Sequence, residues 1–170
     1  MGISNPQSDE QFMLAALAQA KAAAQADEVP VGAVVVHDNQ IIARAHNQVI
    51  TLNDPTAHAE VLALRQAAKA IGNYRLIDCE LFVTLEPCSM CAGACVHARL
   101  KRLVYGASDT KTGVIESVES HLLKPFNNHI INATGGVLAA ACGEIISDFF
   151  SQKRSEKKAA SLTNKNQISH

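Results

Sequence analysis

The spacing of apolar positions changes several times along the chain, and each change marks an element. Phe12, Met13, Ala16, Leu17, Ala20, Ala23 and Ala24 recur at helical spacing, predicting a first helix over residues 9–26. Ser8 or Asp9 is suited to cap its start. Residues 31–36 form a short β-branched apolar run, as in a buried strand. Asp38-Asn39-Gln40 supplies a turn and residues 41–46 a second strand, so the two make a hairpin. Residues 47–56 read as a loop. Asp54 followed by Pro55 predicts a helix start, with the helix running to about Ile71 and stopping at Gly72. A third strand is expected at 80–85, a helix at 88–98, a fourth strand at 103–106 and a fifth at 129–133. Residues 107–128 look irregular, with room for one short helix. A last helix is expected over 137–154, fraying into a polar tail. This order predicts an α/β fold: a central mixed five-stranded sheet with helices on both faces.

No repeat, linker or composition break divides the 170 residues, so a single domain over 1–154 is expected, followed by a disordered basic tail at 155–170. Aromatic residues make up 4% and Trp is absent, which argues against a base-stacking platform. The net charge is −1, but it is unevenly spread. Residues 151–170 carry Lys153, Arg154, Lys157, Lys158 and Lys165 against Glu156, a net +4 that leaves −5 for the rest. Such a C-terminus can meet phosphates or can be simply a solvated tail. No signal-peptide pattern and no membrane-length apolar run is present, so the expected compartment is the cytoplasm. Five cysteines without a secretion signal suggest reduced thiols and metal binding.

Cys88 and Cys91 form a C-x-x-C pair at the start of a predicted helix. There the dipole and free N–H groups favour thiolates, the form that binds metal. Alone the pair could equally be a redox couple or half of a structural zinc site. His58, also near a predicted helix start, supplies a third donor. Two thiolates and one imidazole leave tetrahedral zinc an open position, the arrangement of a catalytic site. In His58-Ala59-Glu60, Glu60 is a carboxylate that can take and return protons. Residues i and i+2 do not share a helix face, so spacing alone does not bring Glu60 to the metal. H-x-E followed by P-C-x-x-C is the signature of zinc nucleobase deaminases.

The chain resembles the bacterial tRNA-specific adenosine deaminases, within the zinc-dependent cytidine and deoxycytidylate deaminase superfamily. The resemblance rests on Glu28-Val29-Pro30-Val31-Gly32-Ala33-Val34, Asp54-Pro55-Thr56-Ala57-His58-Ala59-Glu60, Asn73-Tyr74-Arg75-Leu76, Leu85-Glu86-Pro87-Cys88, Met90-Cys91-Ala92-Gly93-Ala94 and Asp148-Phe149-Phe150. It implies a three-layer α/β/α deaminase fold and one Zn²⁺ per subunit. It implies a homodimer with its active site near the interface, and a tRNA anticodon stem-loop as partner, with the wobble adenosine converted to inosine. It implies that Asn47 and Ala59 contact the base. Asp109 and Lys111 would contact the anticodon loop, and Phe150, Lys153 and Arg154 would meet RNA from the last helix. Ser108 stands where the family usually has Arg, and Cys95 is read as a packing residue. Two rivals stay open: a deaminase of a free base or nucleoside (guanine or cytosine), and a non-catalytic zinc-binding module.

Overall fold

The structure, a computed structural model, describes residues 6–168, with side chains described from Asp9 onward. Its elements are α1 (Pro6–Gln25), β1 (Gly32–His37), β2 (Gln40–His46), α2 (Ala59–Ile71), β3 (Cys79–Leu85), α3 (Ser89–His97), β4 (Arg102–Ala107), β5 (Asn132–Thr134) and α4 (Ala139–Gln167), with a 3-10 turn at His121–Leu123. The sheet runs β2-β1-β3-β4-β5. β1 is antiparallel to β2 and β3, while β4 is parallel to β3 and β5, so the sheet is mixed.

Strand period 2 sends alternate side chains to opposite faces, and both faces are apolar. Val35, Leu81, Val83, Leu103 and Tyr105 join one buried cluster, with Ala63, Leu64 and Ala67 of α2 and Cys95 and Val96 of α3. Val34, Val36, Phe82 and Val104 join a second, with Met13, Ala16 and Leu17 of α1 and Cys142 of α4. The sheet is thus sandwiched by α2 and α3 on one side and α1 and α4 on the other, the expected three-layer α/β/α arrangement.

Four boundaries differ from the sequence reading. Asp9 does not cap α1: it lies inside the helix and makes a bidentate pair with Arg102 at 2.7 and 2.8 Å, tying α1 to β4. Ser8, the other candidate cap, has its side chain outside the described residues. Asp54 does not start α2 either. Its carboxylate accepts from the Thr56 N–H at 2.8 Å and hydroxyl at 2.7 Å, closing a separate turn, and α2 begins only at Ala59 with His58 as its N-cap. Gly72, in the left-handed conformation with φ 77°, does end α2. β5 is shorter and later than expected, at Asn132–Thr134: it pairs with β4 only opposite Arg102–Val104, while the His129 ring bonds the Leu100 carbonyl. Finally, α4 continues to Gln167 rather than fraying after Arg154.

Candidate active site

The C-terminal end of β3 feeds Glu86 and Pro87 into the first turn of α3. Opposite it stands the first turn of α2, behind the loop that carries Asn47. Both helix starts turn their positive dipole ends toward the space between them. A cavity of about 410 Å³ opens there, lined by His58, Glu60, Cys88 and Asn47 among others.

His58 and Cys88 are both N-cap residues, with extended backbones (ψ 150° and 175°) and no side-chain cap bond of their own. Their side chains are therefore free to turn inward. Cys91 follows one turn into α3 and is fully buried. Among the described residues these three form the one group of His, Cys, Asp or Glu donors close enough to share an ion. His58 Nδ1 lies 3.7 Å from Cys88 Sγ and 3.4 Å from Cys91 Sγ. Zinc bonds of about 2.3 Å to sulfur and 2.0–2.1 Å to nitrogen, at a tetrahedral angle, separate the donors by about 3.6 Å. The donor set and its spacing therefore fit zinc.

The three groups also perturb one another's protons. A hydrogen bond from Cys91 pushes the Cys88 thiol down to about 4, against the opposing effect of burial. Cys91, which holds the shared proton against the Cys88 sulfur, is pushed up. The bond to Cys88 also raises the His58 imidazole above its ordinary value. A thiolate waits here, with protons a metal would displace. Cys95, one further turn along α3, is buried and pushed up chiefly by that burial; it packs in the α2–α3 cluster, outside the donor group.

Glu60 is 4% exposed, and burial pushes its carboxyl up to about 7. The i, i+2 spacing that separates His58 from Glu60 on a helix face is resolved by the cap. His58 is extended and outside the helix, Glu60 is in its first turn, and both line the same cavity.

Asn47 meets this site through a specific bond. Its Oδ1 accepts from the Ala59 N–H at 2.8 Å, capping α2 from outside in place of the turned-in His58. An amide oxygen so fixed leaves the NH₂ as the donor available to the cavity. Ala59 itself is fully buried, and its N–H is committed to Asn47, whose orientation it fixes. Asn47→Ala should cost about 1–2 kcal/mol of stability, because the Ala59 N–H loses its partner. Asn47→Asp keeps the acceptor and should recover stability in urea titrations of the zinc-loaded protein, but not activity.

The remaining candidates spread outward. Asp109 lines the cavity and organises its own loop, accepting from the N–H groups of Lys111 and Thr112 and from the Thr112 hydroxyl at 2.8 Å. Burial opposes its ionisation, but those bonds prevail and hold its carboxyl below the usual carboxylate range. Lys111 is exposed and off the cavity wall, as are Phe150 (42% exposed) and Arg154 on α4. Lys153 is engaged within the chain: its Nζ pairs with Asp27 and, at 3.4 Å, with Glu156. That pair places this stretch of α4 next to the segment that leads into the cavity wall at Glu28.

Two wall residues had no role in the sequence reading. Glu28 is 1% exposed and accepts from the Ile50 N–H at 2.7 Å, holding the loop that carries Asn47. Glu86 is 2% exposed and accepts from the Ser117 hydroxyl at 2.8 Å, while the Val114 N–H donates to the Pro87 carbonyl. The 109–117 loop is thus stitched to the Cys88 turn. A Cβ at Gly113 would lie 1.8 Å from a Glu86 carboxylate oxygen and 2.6 Å from the Asp109 backbone carbonyl oxygen, which cannot swing aside, so this seam requires glycine. The available signal was an acid set among apolar residues in each case, Glu28 before Val-Pro-Val and Glu86 before Pro-Cys.

Fold and site together define a nucleobase deaminase, and residues 7–154 match the family model of the MafB19-like deaminases. A Haemophilus influenzae protein named tRNA-specific adenosine deaminase is 52% identical over 88% of this chain and 87% of its own length. One of the same name from Agrobacterium fabrum is 46% identical over 84% and 94%. A solved structure from a study of A-to-I editing by tRNA:A34 deaminases at the wobble position is 45% identical, covers 79% of this chain and 98% of its own, and superposes with a TM-score of 0.78. A guanine deaminase from Nitrosomonas europaea is more distant, 28% identical with a TM-score of 0.70 over 82% of this chain and 83% of its own. The chain belongs to the family of tRNA-specific adenosine deaminases.

Proposed function

We propose that this chain hydrolytically deaminates the wobble adenosine of a tRNA anticodon loop to inosine, with His58, Cys88 and Cys91 as zinc ligands and Glu60 as proton shuttle. The observation that carries the chemistry is a His–Cys–Cys donor group, at tetrahedral spacing, sharing a cavity with a buried acid, and the 52% identity to a tRNA-specific adenosine deaminase supports the RNA substrate. Zinc held there would act as a Lewis acid that makes water a nucleophile near neutral pH. Glu60, titrating near neutrality, is suited both to accept and to give a proton. It takes one proton from the attacking water and delivers it to N1 as oxygen bonds to C6. It then moves the proton of the new C6 hydroxyl to the exocyclic amine, which leaves as ammonia. The Asn47 NH₂ donates to an acceptor on the flipped base, and the buried walls keep bulk water from competing for those contacts.

The catalytic domain is taken as residues 1–154. Asp109 and Lys111 on one loop, and Phe150 and Arg154 on α4, are the proposed contacts to the anticodon loop; Lys153 reaches RNA only by giving up Asp27. A homodimer is the proposed assembly. The exposed Leu123, Phe126 and Ile130 between the last strands support it, since a second copy would cover such apolar surface. Among the described residues no helix is long and apolar enough to cross a membrane, and the compartment this reading implies is the cytoplasm. The test is ammonia release from the zinc-loaded protein on four substrates: a stem-loop with a wobble adenosine, free guanine, free cytosine and free adenosine. Turnover of the stem-loop alone is expected; turnover of only a free base would discard the RNA substrate and keep the zinc chemistry.

A further inference from the structure

We propose that the C-terminal half of α4 is a cationic rail that grips the phosphate backbone of the double-helical stem below the reacting loop. The inference rests on the RNA-deaminase reading above and extends it beyond residue 154, where the family match ends.

Arg154, Lys157, Lys158, Ser161, Leu162 and Lys165 stand at i, i+3, i+4, i+7, i+8 and i+11, which is one face of a helix. All six are exposed along α4. Every charge on that face is positive. The one acid in this half of the helix, Glu156, is turned to Gln152 and Lys153. Arg154, Lys157 and Lys158 make no hydrogen bond or ion pair with any described residue. Like charges at i, i+3 and i+4 repel along a helix, so an anionic partner that replaces the screening ions is favoured on this face.

Geometry selects the partner. From Arg154 to Lys165 the face is about 16 Å long at 1.5 Å per residue. A straight row of that length matches several successive phosphates of a helical stem better than the tight curve of a loop. The Lys153–Asp27 pair moors the near end of the row beside the segment that enters the cavity wall at Glu28, and the row beyond it is exposed along its length. A membrane is a poorer match, because Leu162 is the single large apolar side chain on the face.

The test uses the zinc-loaded full chain carrying K157Q, K158Q and K165Q together, exposed changes that preserve helix propensity. Two substrates share one anticodon loop, one on a full-length stem and one on a stem cut to its closing pairs. For the long stem KM should rise about tenfold with kcat retained, and for the short stem neither should change. The dependence of log(kcat/KM) on log salt should become shallower by about 0.9 for each phosphate the variant no longer neutralises. The triple Lys→Arg variant should restore KM. If KM and the salt slope on the long stem match those of the unsubstituted chain while inosine still forms, the rail is wrong and the deaminase reading stands. If the unsubstituted chain makes no inosine on either substrate, that reading fails and takes the rail with it.

Discussion

Glu60→Gln should lower kcat by about 10⁴-fold, the upper range for losing a positioned acid–base group, while the purified protein keeps its zinc. Gln has the shape of Glu and neither accepts nor releases a proton, so the variant separates the shuttle from the fold. Burial is what suits this carboxyl to both halves of the proton transfer: it pushes the carboxyl up to about 7, so the acid holds a proton more firmly than an exposed carboxylate and can still release it. A carboxylate at its ordinary value would take the water proton and be a poor donor to the leaving amine. The variant should still bind the stem-loop, since the contacts proposed for RNA lie elsewhere, and metal analysis beside single-turnover kinetics reads both outcomes. Substantial activity in Glu60→Gln would remove Glu60 from the mechanism.

The second large effect is on the metal. Cys91→Ser replaces a fully buried sulfur donor on α3 with a weaker oxygen donor, and should leave the protein with little zinc and background turnover. Stability should fall with it, because metal bound only by the folded chain stabilises that chain. Zinc capture by the unsubstituted protein should weaken as pH falls. Both His58 and Cys91 hold their protons more firmly than usual, and each must release one to bind the ion. Equal zinc content in Cys91→Ser, by elemental analysis, would overturn the ligand assignment.

Much of this site was legible in the sequence because its chemistry is local. His58, Glu60, Cys88 and Cys91 sit in two short motifs, and each motif falls at a helix start. The geometry that unites them was less legible. Asp54-Pro55 has the form of a helix start, but Asp54 is used up by Thr56, and the shift of α2 to Ala59 is what lets an extended His58 and a helical Glu60 face one cavity. Glu28 and Glu86 act through bonds to Ile50 and Ser117, 22 and 31 positions away, which no local pattern records. The long α4 was missed for a different reason. Past Arg154 it has almost no apolar stripe, so a reading based on hydrophobic period stops there, although Lys, Glu and Ala are good helix formers. The layers, by contrast, followed from the order of strands and helices and from the unbroken apolar run of β1, which buries Val34 and Val36 on one face and Ala33 and Val35 on the other.

The central claim is that one adenosine, set by its place in an RNA loop, is the substrate. The most direct measurement is the position of inosine in a reacted stem-loop that carries adenosines both at the wobble position and elsewhere in the loop and stem, read by mass spectrometry of its fragments. Inosine at the wobble position alone, dependent on zinc and absent with Glu60→Gln, is the predicted result. An unchanged stem-loop, from zinc-loaded protein that deaminates free guanine or cytosine, would contradict it.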